Sequence, residues 1–158
     1  MRHLKISIPH QQLYVYVDGV LASTYSVSTA SNGPGELKNS GCTPRGKHYI
    51  RAKIGADLPL NAVFVGRRFT GEIFSEALAQ HFPQRDWILT RILWLSGLEV
   101  GVNRLANVDT MQRYIYIHGT PDSEPMGLPL SHGCIRMRNA DLIELFDQID
   151  AGTMVQID

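Results

Sequence analysis

The stretch Pro129–Met137 reads PLSHGCIRM. It sets a histidine, a glycine and a cysteine in direct succession, in a chain with only one other cysteine, Cys42. Three readings fit those residues: the lip of a reactive thiol site, a metal corner, or a buried turn. Upstream, RYIYIHGT (113–120) alternates apolar and polar residues, which is strand patterning, and places His118 near the strand's end. Cys134 follows sixteen residues later, after a loop rich in proline. A thiol becomes a competent nucleophile when a base or a positive group stabilises the thiolate. Histidine suits this role because its proton moves near neutral pH. A thiol-reactive probe separates these readings: a low-pKa cysteine reacts quickly near neutral pH, and a buried one does not. Acyl transfer also needs hydrogen-bond donors for an oxyanion, and the Gly133–Cys134 turn offers backbone N–H groups. Zinc bound by His118, His132 and Cys134 is the metal alternative. No fourth ligand stands at a recognisable spacing, and there is no CxxC or HxxxH pair.

The chain around this stretch reads as one mainly β domain over residues 1–158. The 158 residues carry 15 basic and 15 acidic side chains, with 44% hydrophobic residues. That is an ordinary globular composition, and zero net charge argues against nucleic-acid binding. Strands are expected at 4–9, 12–17 and 20–30, with Asp18-Gly19 as a hairpin turn. Residues 31–46 hold four glycines and two prolines and read as a loop. KHYIRAKIG resumes strand character. Residues 72–82 predict a short helix stopped by Pro83, and WILTRILWL (87–95) predicts a strand. NADLIELFDQIDAG gives the best helix, with Asn139 as N-cap, Leu142, Ile143, Leu145, Phe146 and Ile149 as its stripe, and Gly152 at its end. TMVQI closes as a strand. No run reaches the roughly 20 apolar residues of a membrane span. The basic start lacks a signal-peptide core, which gives the expectation of a cytoplasmic protein, or a periplasmic one if a leader has been removed.

These segments, taken in order, resemble the YkuD family of L,D-transpeptidases. The resemblance rests on His118-Gly119-Thr120, on Ser131-His132-Gly133-Cys134-Ile135-Arg136, on LYVYVDGVLASTYSVSTAS, on CTPRGKHYI and on ELFDQIDAGTMVQI. It covers roughly residues 4–54 and 113–158. It implies a β-sandwich-like catalytic domain with one or two short helices and no cofactor. It implies Cys134 as nucleophile and His118 as base, oriented by a backbone carbonyl near Gly119. It implies an oxyanion pocket shaped by His132, Gly133 and the Cys134 amide. Ser131 is expected to fix the turn and lie at the substrate, Arg136 to hold a substrate carboxylate, and Tyr116 to lie near the site. Cys42 is read as a bystander. Residues 55–112 match least and are expected to cap the groove. The implied partners are peptidoglycan stem peptides or muropeptides, with covalent inhibition by carbapenems. Removal of the terminal D-Ala from tetrapeptide stems, as an L,D-carboxypeptidase in cytoplasmic recycling, is the leading expectation. The alternatives are L,D-transpeptidation, with 3→3 cross-linking or D-amino acid exchange, and a non-catalytic stem-peptide-binding module.

Overall fold

The computed structural model describes all residues, Met1–Asp158. Its strands are β1 (Arg2–Ser7), β2 (Gln12–Val17), β3 (Val20–Ser28), β4 (Gly46–Ile54), β5 (Ala62–Val65), β6 (Arg68–Ile73), β7 (Ile88–Gly97), β8 (Tyr116–Gly119), β9 (Ile135–Met137) and β10 (Met154–Ile157). Two helices accompany them, α1 (Glu76–His81) and α2 (Asn139–Gln148). The mainly β architecture expected from the patterning is present. The strands run in the order β4-β10-β1-β2-β3-β9-β8-β7, and β7 pairs back onto β4, so the sheet closes into a ring. Closure removes the open edges that a flat sheet would present.

Local rules explain the first strands. Leu4 and Ile6 face Val15 and Leu13 across the antiparallel β1–β2 pair, and all four are fully buried. Asp18 and Gly19 both have positive φ, 49° and 80°. That is the turn geometry matching the twist of a two-residue hairpin. The interior of the ring holds a 19-residue apolar core that draws on β1, β2, β3, β4, β7, β8, β9, β10 and α2.

Helix α2 lays Leu142, Leu145 and Phe146 into that core, followed by Ile149. Two boundary expectations change. Arg138, not Asn139, is the N-cap, and it makes no side-chain capping bond. Asn139 is the first helical residue, and its amide is engaged elsewhere. The helix also ends at Gln148, before Gly152, because the chain turns extended at Ile149 to seat that side chain in the core. Helix α1 has Ser75 as its N-cap, accepting from Leu78 N–H at 3.1 Å.

The segment 55–112 is more than a cap. Strand β7 pairs with β4, β5 and β8 and buries Leu89, Ile92, Leu93 and Leu95 completely. It is therefore part of the ring. Only the β5–β6 hairpin and α1 lie outside the closed circuit. The loop after α1 carries Asp86 to the site described next. No helix is long and apolar enough to cross a membrane.

Candidate active site

Strand periodicity builds the site. Strands β8 and β9 run parallel, with Ile117 beside Ile135 and His118 beside Arg136. Successive side chains on a strand point to opposite faces. Ile117, Ile135 and Met137 enter the main core. Their neighbours Tyr116, His118, Cys134 and Arg136 are left for the other face. There Tyr116 packs with Ala62, Phe64 and Ile92, and Cys134 packs against that cluster. Asp86, Arg113, Tyr114, His118, Cys134 and Arg136 are among the residues lining one cleft of about 190 Å³.

His118 is 1% exposed. Its Nδ1 lies 2.6 Å from the carbonyl oxygen of Gly119. A carbonyl only accepts, so Nδ1 carries the proton and Nε2 keeps its lone pair. Burial lowers the imidazole pKa below its ordinary value, partly offset by the Gly119 bond. His118 is thus a neutral base of defined tautomer. Gly119 is required by packing. A Cβ there would collide with Asn139 Oδ1 and sit 2.6 Å from the Leu89 carbonyl.

Below Gly119 lies a polar network that the sequence did not announce. Thr90 donates through Oγ1 to Asn139 Oδ1 at 2.7 Å and accepts from Asn61 N–H at 3.1 Å. Asn139 Nδ2 donates to Thr120 O at 2.9 Å and to Asn61 Oδ1 at 3.1 Å. Thr90 sits where the β7–β8 register shifts, between Leu89 and Ile92, with φ of 76°. That value is unusual for a β-branched residue. The network ties the start of α2 to the end of the strand that carries His118.

The Cys134 thiol accepts from Tyr116 N–H at 3.3 Å and donates to the Tyr114 carbonyl at 3.4 Å. It makes no hydrogen bond to His118, although both line the cleft. Apo geometry at catalytic pairs is often loose before substrate arrives. Burial pushes the thiol pKa up to about 12, against a smaller lowering by the Tyr116 N–H. Of the two outcomes that a thiol probe separates, this favours a neutral, slowly reacting thiol in the absence of substrate. Burial outweighs the nearby cations, because taking a thiolate out of water costs more than those partners return.

The loop 131–134 is tightly held. Ser131 Oγ donates to the Cys134 carbonyl and accepts from Gly133 N–H at 3.2 Å. Thr43 Oγ1 donates to the Gly133 carbonyl at 2.9 Å and accepts from Ala30 N–H at 3.0 Å. The Ser131 hydroxyl is used inside the turn, which fits the turn-fixing role expected of it, and Ser131 also lines the cleft. Gly133 N–H is likewise engaged, whereas the N–H groups of His132 and Cys134 donate to no protein acceptor. Those two remain available at the cleft.

Arg136 is 8% exposed and is paired through Nη2 with Asp86 Oδ1 at 3.1 Å. The other Asp86 oxygen meets His132 Nδ1 at 3.2 Å. Tyr116 turns its hydroxyl to Arg67, which donates at 3.0 Å. The Arg67 guanidinium lies against the rings of both Trp94 and Tyr114, 4.8 and 4.6 Å from their centroids. Arg113 donates to the carbonyls of Cys42 at 2.7 Å and Gly35 at 3.2 Å. Asp86, Arg113, Tyr114 and Thr43 were not singled out from the sequence, and Asn139 only as a helix cap. The nearest available signal was that Arg113 and Tyr114 directly precede the histidine strand. Cys42 is unpaired and reaches the site only through its backbone carbonyl.

Comparison with known proteins speaks to the family and the fold. A stretch of 44 residues, 28% of this chain, is 48% identical to the probable L,D-transpeptidase YbiS of Escherichia coli (strain K12). A stretch of 45 residues is 51% identical to the probable L,D-transpeptidase ErfK/SrfK of Salmonella typhimurium. The matches span 14% and 15% of those proteins' lengths. Among solved structures, an L,D-transpeptidase from Xylanimonas cellulosilytica superposes with a TM-score of 0.58 at 20% identity, covering 99% of this chain and 60% of that one. L,D-transpeptidase 3 from Mycobacterium tuberculosis, solved with a faropenem-derived adduct, gives 0.60 at 17% identity over the same shares. At such identities these two likenesses speak for the fold alone. The family model for the L,D-transpeptidase catalytic domain, YkuD, matches residues 1–157, so the chain belongs to the YkuD L,D-transpeptidase catalytic domain family.

Proposed function

We propose that this chain is a cysteine acyl-transfer enzyme acting on peptidoglycan stem peptides, with Cys134 as nucleophile and His118 as general base. The observation that carries the reading is the pairing of an Nε2 freed by the His118–Gly119 bond with a thiol on the wall of the same cleft. Cys134 Sγ attacks the carbonyl at the L-centre of diaminopimelate, and its proton passes to His118. The oxyanion that forms is met by the free N–H of Cys134, with that of His132 beside it. Collapse breaks the C–N bond, His118 returns the proton to the departing D-Ala amine, and a thioester remains on Cys134. Because thiol and imidazole are both neutral beforehand, proton transfer accompanies attack.

An amine or water then resolves the thioester. Amine attack gives an L,D-transpeptidase, and water gives the L,D-carboxypeptidase expected from the sequence. One observation favours the amine. The cleft adjoins two further hollows, one sharing Arg113, Tyr114, Ile115 and His132 with it, the other sharing Asp86, His132 and Arg136. Two adjoining hollows suit two chains meeting at one sulfur.

The test is incubation with L-Ala-γ-D-Glu-diaminopimelate-D-Ala, with products followed by mass spectrometry. Dimers, or exchange of D-Ala for an added D-amino acid, establish transfer to amines. Loss of D-Ala alone establishes hydrolysis. A carbapenem is expected to add its mass to the wild type and not to Cys134→Ala. Unmodified wild type at saturating drug, with no turnover of the peptide, would sink the acyl-enzyme reading.

A further inference from the structure

Two arginines line the cysteine cleft, and their charges differ in availability. Arg136 is neutralised by Asp86. Arg113 has no carboxylate partner. Its donors meet the neutral carbonyls of Gly35 and Cys42 and the Ser40 hydroxyl at 3.3 Å. The acid that acts on it from nearby, Glu36, is bound in both carboxylate oxygens by Arg45 at 2.7 and 3.1 Å. Arg113 also lines the larger adjoining hollow of about 400 Å³, together with Lys38, Asn39, Gln112, Tyr114 and His132. Lys38 is exposed and enters no ion pair. No carboxylate lines this hollow. In a chain of zero net charge, it is a local concentration of unpaired cations beside the thiol.

The direction of the reaction says what would lie there. His118 must protonate the leaving nitrogen, so the departing residue lies toward His118 and its β9 neighbour Arg136. The acyl part must then extend the other way, along residues 115 and 114, into the hollow holding Arg113 and Lys38. In the stem peptide of the proposed function, that acyl part carries two anions. They are the α-carboxylate of the γ-linked D-Glu and the carboxylate on the far centre of diaminopimelate.

We infer that the Lys38–Arg113 hollow is the subsite that reads the acyl part of the stem peptide through those carboxylates, selecting free acids over amidated stems. This rests on the proposed acyl-enzyme reading and deepens it. Arg113, held rigid by two carbonyls, supplies a preorganised charge-assisted donor set. Lys38 supplies a mobile point charge.

The experiment compares the free-acid tetrapeptide with one amidated at both carboxylates. Thioester formation is read by mass, and KM and kcat are measured separately. The wild type is expected to show KM roughly tenfold higher for the amidated peptide at similar kcat, the scale of one lost charge-assisted contact. Lys38→Glu, a change at an exposed position, is expected to raise KM for the free-acid peptide and so erase most of that preference. Arg113→Lys is expected to keep part of it, and Arg113→Gln to lose it, with thermal melts checking that the loop at 35–42 still folds. Equal KM for the two peptides in the wild type would overturn the inference while leaving the acyl-enzyme reading intact. So would full discrimination by a folded Lys38→Glu. No thioester from either peptide would remove both readings.

Discussion

At the residue scale, the proposed chemistry turns on two neutral groups. Burial lowers the His118 pKa and raises that of Cys134 to about 12. Near pH 7 the pair is thiol and imidazole, not thiolate and imidazolium. Alkylation of Cys134 without substrate is therefore expected to be slow at neutral pH and to accelerate as pH rises toward the thiol pKa. A rate that levels off near pH 7 would mean a preformed thiolate. In the proposed mechanism turnover needs His118 unprotonated, so its acid limb is expected below the ordinary histidine pKa of about 6.5. His118→Ala is expected to lower turnover by about 10²–10⁴-fold, as for a lost general base. Both residues were expected from the sequence as a pair, and both line one cleft. The protonation state was not, because it depends on how much water the fold removes around each group.

At the element scale, the strand pair β8–β9 and the start of α2 hold the base in place. Gly119 supplies the carbonyl that orients His118, and Asn139 packs against its Cα. Gly119→Ala is expected to destabilise the protein by several kcal/mol, because the added methyl meets the Leu89 backbone and the buried Asn139 amide. Asn139→Ala is expected to cost about 1–3 kcal/mol by leaving buried polar partners unmatched, with a fall in kcat larger than any change in KM. Urea unfolding and steady-state kinetics on the two variants check this. A wild-type kcat in folded Asn139→Ala would make the network structural only. The sequence placed Asn139 at the helix start and assigned it a capping role there. Its actual partners, Thr90, Asn61, Thr120 and Asp122, come from three separate segments, and no local pattern connects them.

At the scale of the whole molecule, closure of the ring runs through β4. His48 sits on that strand, beside Gly97 of β7 and Val155 of β10. It is fully buried, and its nitrogens lie 3.0 Å from the Gly46 carbonyl and 2.9 Å from Thr110 Oγ1. Burial lowers its pKa to about 4. A pKa depressed in the folded state means that the unfolded chain binds the proton first. The stability is then full above about pH 6.5 and is lost as pH falls toward 4. The linkage is worth on the order of 3 kcal/mol, and His118, shifted the same way, adds to it. Urea midpoints measured from pH 7.5 to 4 are expected to fall across that window and to fall less in His48→Gln. An unchanged slope in His48→Gln would assign the acid sensitivity elsewhere.

The amino-acid sequence by itself determined the strand patterning, the two helices, and the ordered segments that mark the family. It also determined which face of β8 and β9 carries reactive residues, since alternation with period two puts His118, Cys134 and Arg136 opposite Ile117 and Ile135. These are short-range properties, fixed by neighbours along the chain. Only the tertiary structure decided that β7 belongs to the ring. It also decided that Asp86 neutralises Arg136, that Thr43 holds Gly133, and that Arg113 stands without an acid beside the thiol. Each joins residues tens of positions apart, and each depends on which buried group finds a partner. That outcome is set by packing in three dimensions, which no local run of residues encodes.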